Sequence, residues 1–512
     1  MTAATPVTEP REVAAPSTAK SPSSGSDGDG PSAVPGTASA ASGGDAEAMR
    51  ATLRRMQTAQ RRGGAPSYDA RIASLDALER AILRRKDAIA DAISADFGNR
   101  SRHETLVADV FVTLSGIKFV RSHLREWMQS EPRDVEWTFL PARNEVVFQP
   151  LGVVGIIAPW NYPVQLALAP LVSVLAAGNR AMIKPAEFTP RTSALLAELV
   201  AEAFPTDQVT VVTGGADVGE AFSKLPFDHL VFTGSTRVGK AVMRAASENL
   251  VPVTLELGGK SPAIVGTEMS PRVAAERVMM GKLFNAGQTC IAPDYALVPE
   301  ARKDAFVQAC RDAVAKMYPT LAANPDYTSI INERHYARLA GLVEDARAHG
   351  ADVITLGPAG ETLDPAARKL APTLIVGARE DMSVMQDEIF GPILPILTYR
   401  TLDEAIDYVN DHPRPLALYY FGYDEDEIDH VLGETVSGGV GINETMLHCA
   451  QDDLPFGGVG PSGMGHYHAL EGFESFSKKK PIFRQARLNT TGFLRPPFGR
   501  AIDALLRVLV GK

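Results

Sequence analysis

The run Leu230-Val231-Phe232-Thr233-Gly234-Ser235-Thr236-Arg237-Val238-Gly239 decides the fold of this chain, because an apolar segment of strand length passes through a glycine turn directly into a helix. Backbone amides at such a turn, helped by the helix dipole, can hold a pyrophosphate. The three-glycine fingerprint of dinucleotide sites is incomplete, since Thr236 occupies the place of the middle glycine. The turn alone is therefore a weak indication of a phosphate-bearing ligand.

The segments before this turn show the same alternation of strand and helix. Helical patterns fall near 164–177, 192–203 and 218–225, and apolar strands at 153–157, 181–183, 209–212 and 230–232. Continuous apolar strands separated by helices predict a parallel, doubly wound α/β sheet. Ligands of such sheets bind at the carboxyl ends of the strands.

A second α/β region is predicted from Gly258 to about Leu454. Its helices are expected near 270–284, 300–316, 333–348 and 402–410, and its strands at 373–376 and 394–397. A glycine-rich loop, 455–465, follows and is predicted to be a flexible lid or the wall of a substrate channel.

The segment before the first sheet contains two apolar stripes at helical spacing between residues 49 and 132, which predict covering helices. Residues 136–149 then alternate on either side of a turn at 141–144. This pattern predicts a β-hairpin formed by 137–139 and 146–148. A protruding ribbon of this kind often makes an oligomer contact.

The two ends of the chain differ in composition from the rest. Residues 1–48 contain no aromatic residue, leucine or isoleucine, which predicts a disordered tail, with a targeting or partner-binding arm as the alternative. Residues 501–510 predict an amphipathic helix too short to span a bilayer. We expect it to pack on the body or on a sister subunit rather than on a membrane surface.

Composition excludes several classes of function. The 512 residues carry a net charge of −10, which gives no basic surface for nucleic acid. The three cysteines, Cys290, Cys310 and Cys449, predict a reducing, cytoplasmic compartment rather than a disulfide framework. The sequence shows no secretory signal and no apolar run of membrane-spanning length, and no metal site is predicted.

Two reactive side chains stand out near the start of the second region. Glu256 lies beside a glycine pair in Leu255-Glu256-Leu257-Gly258-Gly259-Lys260, and Cys290 follows the small polar loop Asn285-Ala286-Gly287-Gln288-Thr289. A thiolate can attack a carbonyl carbon, and a carboxylate can activate the water that releases the product. Taken alone, Cys290 fits a buried inert cysteine equally well, as Cys310 does within its helical pattern.

Seven short motifs, in unbroken order over residues 50 to 490, resemble the NAD(P)-dependent aldehyde dehydrogenases. Any single motif can arise by chance, but the whole ordered set is specific to that family. The motifs are Pro159-Trp160-Asn161-Tyr162-Pro163, Lys184-Pro185-Ala186-Glu187, Phe232-Thr233-Gly234-Ser235, Glu256-Leu257-Gly258-Gly259-Lys260, Gly287-Gln288-Thr289-Cys290, Glu388-Ile389-Phe390-Gly391-Pro392 and the loop 455–465.

The resemblance implies roles for individual residues. Cys290 is expected to be the nucleophile and Glu256 the general base, and the Asn161 amide forms the oxyanion hole with the backbone N–H of Cys290. We expect the site to favour the Cys290 thiolate. A carboxylate at Glu187 that accepts from a ribose 2′-hydroxyl would repel a 2′-phosphate, so NAD is favoured, with NADP as the alternative. The implied cofactor-binding residues are Lys184, Glu187, Gly234, Ser235, Glu388, Phe390 and Trp160.

Within the family the chain resembles the class 3 branch and its bacterial coniferyl-aldehyde dehydrogenases, on the evidence of 290–295 and 460–468. This implies a homodimer and an aromatic aldehyde such as coniferyl aldehyde. Pro170 and Tyr467 replace a lysine and a glutamate of the tetrameric branch, which puts proton relay there in doubt. The alternatives are a medium- or long-chain fatty aldehyde dehydrogenase touching membranes, and a non-catalytic scaffold.

The resemblance also implies domain boundaries. Residues 1–48 are the tail and 491–512 the C-terminal tail and helix. The remaining boundaries are 49–132 with 151–257 for the NAD-binding domain, 258–455 for the catalytic domain, and 133–150 with 476–490 for the oligomerisation strands.

Overall fold

The computed structural model describes residues 43–489 and 491–511. Most of the predicted tail, 1–42, lies outside the described residues. Its last part was predicted wrongly, because the first helix, Gly43–Gly63, already includes residues 43–48. Met49, Leu53 and Met56 on this helix are buried in an apolar cluster, and this burial anchors the helix.

The helices of the described part agree with most of the predicted ones to within a few residues. A π-helix covers Leu106–Phe111, and short 3₁₀ helices cover Trp137–Phe139, Phe284–Gly287, Glu300–Arg302, Pro365–Ala367, Leu447–Ala450 and Thr491–Leu494. The α-helices are α1 (Gly43–Gly63), α2 (Tyr68–Phe97), α3 (Arg102–Thr105), α4 (Val112–Trp127), α5 (Gln165–Ala176), α6 (Pro190–Ala203), α7 (Ala216–Ser223), α8 (Thr236–Ser247), α9 (Pro271–Leu283), α10 (Lys303–Met317), α11 (Glu333–Ala348), α12 (Ser383–Gln386), α13 (Leu402–Asn410), α14 (Glu425–Glu434), α15 (Ala469–Ser475) and α16 (Arg500–Leu509).

The strands form three sheets. In chain order they are β1 (Glu131–Arg133), β2 (Arg143–Pro150), β3 (Val153–Ile157), β4 (Arg180–Lys184), β5 (Val209–Val211), β6 (His229–Thr233), β7 (Val253–Glu256), β8 (Pro262–Val265), β9 (Tyr295–Pro299), β10 (Asp352–Thr355), β11 (Thr373–Val376), β12 (Ile393–Tyr399), β13 (Ala417–Phe421), β14 (Gly439–Ile442), β15 (Gly463–Met464) and β16 (Ser477–Arg484).

The first sheet has the order β15-β7-β6-β3-β4-β5 and is parallel except for β15. Successive strands run outward from β3 through β4 to β5, and the chain then returns to place β6 on the other side of β3. The predicted doubly wound sheet is thus confirmed. Its topological switch point lies between β3 and β6, where ligands of open α/β sheets bind.

The second sheet has the order β10-β11-β12-β9-β8-β13-β14 and is parallel except for β10. Strand β8 begins six residues after β7 ends, so residues 257–261 lead from one sheet into the other. This short connection places Glu256, at the end of β7, beside the start of the second sheet.

The third sheet, β1-β2-β16, is antiparallel and differs from the predicted hairpin. Glu131–Arg133 pairs with β2, whereas Trp137–Phe139, predicted as the partner strand, forms a 3₁₀ turn. Pro141, which follows that turn, has no N–H to donate to a strand ladder. Trp137 is exposed and has no buried face to hold it against a sheet.

The glycine-rich loop is docked on the first sheet instead of forming a free lid. Gly463 pairs with Glu256 in the β15–β7 ladder, and the Leu257 N–H donates to the Ser462 carbonyl at 3.0 Å. A Cβ added to Gly463 would lie 2.2 Å from the Leu255 carbonyl oxygen, so only glycine permits this approach. The loop thus fixes the strand that carries Glu256.

The C-terminal helix α16 buries Ile502 and leaves Leu506 and Leu509 exposed. The predicted apolar stripe is therefore covered at one position of three among these residues. Within the described residues, every helix is too short or too polar to cross a membrane.

Candidate active site

A cavity of about 530 Å³ opens beyond the carboxyl ends of strands β3, β6 and β7. Lys184 and Glu187 do not line it; they lie one strand away, at the end of β4, where Lys184 Nζ is 3.3 Å from a Glu187 carboxylate oxygen. The cavity brings together eight of the ten predicted site residues: Trp160, Asn161, Gly234, Ser235, Glu256, Cys290, Glu388 and Phe390.

Glu256 is the last residue of β7, and its side chain is buried, with 2% of the residue exposed. Neither of its carboxylate oxygens has a hydrogen-bond partner among the described residues. Burial raises the pKa of Glu256 well above its ordinary value. A buried, unpartnered carboxylate is costly in a purely structural position, so its presence in a cavity points to a chemical role.

Cys290 follows a loop with unusual backbone geometry. Asn285, Ala286 and Gly287 all have left-handed φ angles, of 53°, 51° and 75°. A Cβ at Gly287 would lie 2.3 Å from the Gly391 carbonyl oxygen, so this position requires glycine. Such strain persists only where surrounding contacts over-determine the conformation, and it is frequent at active sites.

Buried polar contacts hold this loop. A Glu104 carboxylate oxygen accepts from the Asn285 N–H at 3.0 Å and from the Thr328 hydroxyl at 3.1 Å. The Gln288 amide donates to the carbonyls of Asn285 and Ser329, at 3.0 and 3.1 Å. Burial raises the pKa of Glu104 to about 7, against the opposing charge of Arg100. The Cys290 loop is therefore tied to the start of α3 and to residues 328–329.

Asn161 faces the same loop from the end of β3. Its side-chain Nδ2 donates to the Gln288 carbonyl at 3.1 Å, and its backbone carbonyl accepts from Asn285 Nδ2 at 3.1 Å. An amide nitrogen has two N–H groups, so one donor is left for a ligand. The Asn161 amide is thus oriented two residues from Cys290 in the chain it contacts.

A buried ion pair, which the sequence analysis did not identify, supports Asn161 from behind. Arg100 Nη1 donates to the Asn161 carbonyl at 2.6 Å, and Arg100 Nη2 lies 3.3 Å from Asp109 Oδ2, with both side chains fully buried. Asp109 Oδ1 accepts from the N–H groups of Val164 and Gln165, each at 3.1 Å. Asp109 lies in the π-helix, a feature frequent near functional sites. No local spacing marks this pair, because its partners lie more than 50 residues away.

The protein environment does not favour the Cys290 thiolate, contrary to the expectation from sequence. Burial raises the pKa of Cys290 above its ordinary value, and the nearby charges of Glu388 and Glu256 raise it further. The side chain is therefore a thiol at neutral pH in this environment. Catalysis by this residue requires that a base remove the proton.

The cavity residues fit a dinucleotide. Ser235 caps the N-terminus of α8 by accepting from the Val238 N–H at 3.5 Å, and this helix end meets the cavity at the switch point. Helix N-termini at such positions bind phosphate. Glu388 lies against Gly258, where an added Cβ would be 2.2 Å from its carboxylate. Burial, with the charge of Asp294, raises the pKa of Glu388 to about 8.

Two aromatic rings complete the wall near Glu388. The rings of Trp160 and Phe390 meet edge to face, with centroids 5.4 Å apart and an interplanar angle of 77°. Phe390 has a left-handed φ of 52°, which aims its ring into the cavity it lines. A flat conjugated ring is the kind of ligand group that such a wall accommodates.

The chain is similar to proteins of known activity over most of its length. It is 53% identical over 441 residues to a probable coniferyl aldehyde dehydrogenase of Pseudomonas aeruginosa, covering 86% of this chain and 92% of that protein. It is 52% identical over 467 residues to a coniferyl aldehyde dehydrogenase of a Pseudomonas species, covering 91% of this chain and 97% of that protein.

Solved structures agree. Staphylococcus aureus AldH in its substrate-bound state superimposes with a TM-score of 0.85 at 38% identity, covering 90% of this chain and 99% of that one. A Mycobacterium tuberculosis aldehyde dehydrogenase complexed with NAD⁺ gives a TM-score of 0.76 at 28% identity, covering 86% and 90%. The aldehyde dehydrogenase family model matches residues 34–482. The predicted fold and enzyme class are confirmed, and the chain belongs to the aldehyde dehydrogenase family.

Proposed function

We propose that this enzyme oxidises an aldehyde to a carboxylic acid on Cys290, with NAD as the hydride acceptor, Asn161 as the oxyanion donor and Glu256 as the general base. The observation that carries these assignments is the buried, unpartnered Glu256 carboxylate, which lines the same cavity as Cys290 and Asn161. NAD agrees with the predicted cofactor and with the family.

The first step is addition of the thiol to the aldehyde. The Cys290 proton leaves to a base, and Sγ attacks the carbonyl carbon to give a thiohemiacetal. The free N–H of the Asn161 amide and the backbone N–H of Cys290 stabilise the negative charge on oxygen. Loss of one oxyanion donor of this kind costs about 2.7–4 kcal/mol of transition-state stabilisation.

The second half of the reaction releases the acid. When bound, NAD accepts the hydride from the carbon attached to Sγ, which leaves a thioester on Cys290. Glu256 then takes a proton from water, whose oxygen attacks the thioester carbon. The carbon–sulfur bond breaks, the carboxylic acid leaves, and Sγ regains a proton.

For the cofactor, we assign the pyrophosphate to Gly234 and Ser235 at the start of α8, and the nicotinamide ribose to Glu388. Lys184 and Glu187 take the adenosine ribose, outside the cavity described above. The Glu187 carboxylate at the end of β4 supports NAD over NADP, because it would repel a 2′-phosphate.

We assign an aromatic aldehyde, coniferyl aldehyde in particular, as the substrate, which the two Pseudomonas relatives support. The second candidate is a medium- or long-chain fatty aldehyde, which the exposed apolar side chains Leu506, Val508 and Leu509 on helix α16 favour through contact with a membrane surface. Vesicle flotation of the full chain and of a chain ending at 499 tests that contact.

We also assign residues 133–150 and 476–490 to a homodimer contact. Strand β16 is an edge of the third sheet, and Trp137, Leu140 and Phe483 expose more than half of their surface beside it. Unpaired strand edges with apolar neighbours pair readily with another chain. Analytical ultracentrifugation of wild type and Phe483→Glu tests this: a monomeric wild type contradicts it.

The activity itself is tested by NADH formation with a panel of aromatic and aliphatic aldehydes, with NAD and NADP compared. We expect Cys290→Ala to abolish the signal. Cys310→Ala is the matched control, because Cys310 is buried in helix α10 within the apolar core. Turnover by Cys290→Ala would exclude it as the nucleophile, and an inactive wild type would favour a non-catalytic scaffold.

A further inference from the structure

A second cleft lies between helices α4 and α5 and the segments 449–452 and 468–469. Val112, Val120 and Val172 give it apolar walls, while Gln165, Asp452 and His468 supply polar groups. Among the described residues, the lining of this cleft shares no member with the lining of the cofactor cavity.

The cleft leads toward the reacting thiol. Cys449, which lines it, packs in the same apolar cluster as Cys290. Gln165, on its wall, lies four residues after Asn161 at the start of α5. An aldehyde held at Cys290 therefore has a route for its remaining atoms on the side away from the cofactor.

Asp452 forms a partly satisfied acceptor in this cleft. One of its carboxylate oxygens accepts from the Ser115 hydroxyl at 2.8 Å, and the other would lie 3.4 Å from a Cβ at Gly116. The absence of a side chain at Gly116 lets Asp452 lie against α4. A carboxylate has about four acceptor sites, so a ligand hydroxyl can still be bound after Ser115 is satisfied.

His468 supplies a flat face and an unpaired nitrogen. Its ring stacks on Phe456, with centroids 5.1 Å apart and an interplanar angle of 20°. Its Nε2 is buried and has no hydrogen-bond partner among the described residues. Burial lowers the pKa of His468 to about 4, so the ring is neutral at pH 7. A buried polar atom without a partner requires an explanation, and a polar ligand supplies one.

We propose that this cleft binds the ring of a para-hydroxylated aromatic aldehyde, with Asp452 accepting a hydrogen bond from the ring hydroxyl and His468 Nε2 facing the adjacent oxygen substituent. This inference rests on the proposed oxidation of an aromatic aldehyde and names its specificity-determining residue. A saturated alkyl chain in the same place leaves both polar groups unpaired, which lowers its binding.

The test compares 4-hydroxycinnamaldehyde with cinnamaldehyde, which differ only in the ring hydroxyl. The measured quantity is the ratio of their kcat/KM values, because loss of folded enzyme lowers both rates equally and leaves the ratio unchanged. We expect wild type to favour the hydroxylated aldehyde about tenfold, as one hydrogen bond to a charged group allows. Asp452→Ala brings the ratio to about one. Asp453→Ala, at the exposed neighbouring carboxylate, keeps the wild-type ratio.

The outcomes separate the subsite from the proposed function. A wild type that oxidises both cinnamaldehydes equally well, or an Asp452→Ala variant with an unchanged ratio, overturns the subsite and leaves oxidation of aromatic aldehydes standing. A wild type that prefers hexanal to both aromatic substrates overturns the aromatic assignment and the subsite with it.

Discussion

Arg100 and Asn161 are joined by a hydrogen bond of 2.6 Å from a guanidinium N–H to a backbone carbonyl, inside the protein and away from water. Asp109 balances the Arg100 charge and also accepts from the amides of residues 164 and 165. The position of the proposed oxyanion donor therefore depends on a charged pair that does not line the cofactor cavity. This links the stability of the N-terminal helices to the chemistry at Cys290.

Replacement of Arg100 by methionine should destabilise the protein by about 3–5 kcal/mol, because it leaves the buried Asp109 carboxylate without a partner. We expect a lower midpoint of urea unfolding and a loss of kcat larger than the change in KM. Arg102→Met is the control. Its ion pairs with Asp87 and Asp91 are exposed, so its midpoint should stay close to wild type. Equal midpoints for the two variants would contradict the role given to Arg100.

Gly287→Ala tests whether the loop before Cys290 must keep its close approach to Gly391. The new Cβ would lie 2.3 Å from the Gly391 carbonyl oxygen, so the loop has to move and the thiol moves with it. A displacement of about 1 Å costs roughly 10²-fold in kcat/KM. Gly350→Ala is matched for backbone strain, with a φ of 83°, but has open space around it. It should keep wild-type activity, and a similar loss in both variants would show that strain alone is responsible.

Local sequence patterns predicted what depends on neighbouring residues. Apolar runs located the strands of the first sheet, and short motifs placed Glu256 and Cys290 close together. The patterns failed where distant contacts decide the conformation. Trp137–Phe139 alternates like a strand but has no sheet to pair with, and Gly463 becomes a strand only because β7 offers an edge.

The electrostatics of the site also depend on the fold. The pKa of Cys290 is raised by burial and by carboxylates that are 34 and 98 residues away in the chain, at Glu256 and Glu388. Arg100 and Asp109 were not identified because their neighbours, Asn161 and residues 164–165, come from another segment. A single sequence gives no record of such pairings.

Glu256→Gln should separate the two halves of the reaction. The amide cannot take a proton from water, so the thioester accumulates after one hydride transfer. Stopped-flow absorbance should show a burst of NADH of about one equivalent per site, followed by a steady rate lower by roughly 10²–10⁴-fold. Glu268→Gln, at an exposed carboxylate, should keep the wild-type steady rate. An unchanged steady rate in Glu256→Gln would remove Glu256 as the base for hydrolysis.

The same substitution should change how stability depends on pH. The pKa of Glu256 is higher in the folded protein than in the unfolded chain, where it is about 4.3, so the folded state holds the proton more tightly. As pH rises above about 4.3, the unfolded chain releases this proton first, and the wild type loses stability. Glu256→Gln has no such group and should become progressively more stable than wild type over that range. Unfolding midpoints between pH 4 and 8 measure the difference, which should be smallest at the acidic end. A difference that does not grow with pH would mean that the carboxylate is already paired in the folded protein. Glu268→Gln, at an exposed position, should follow the wild-type profile throughout.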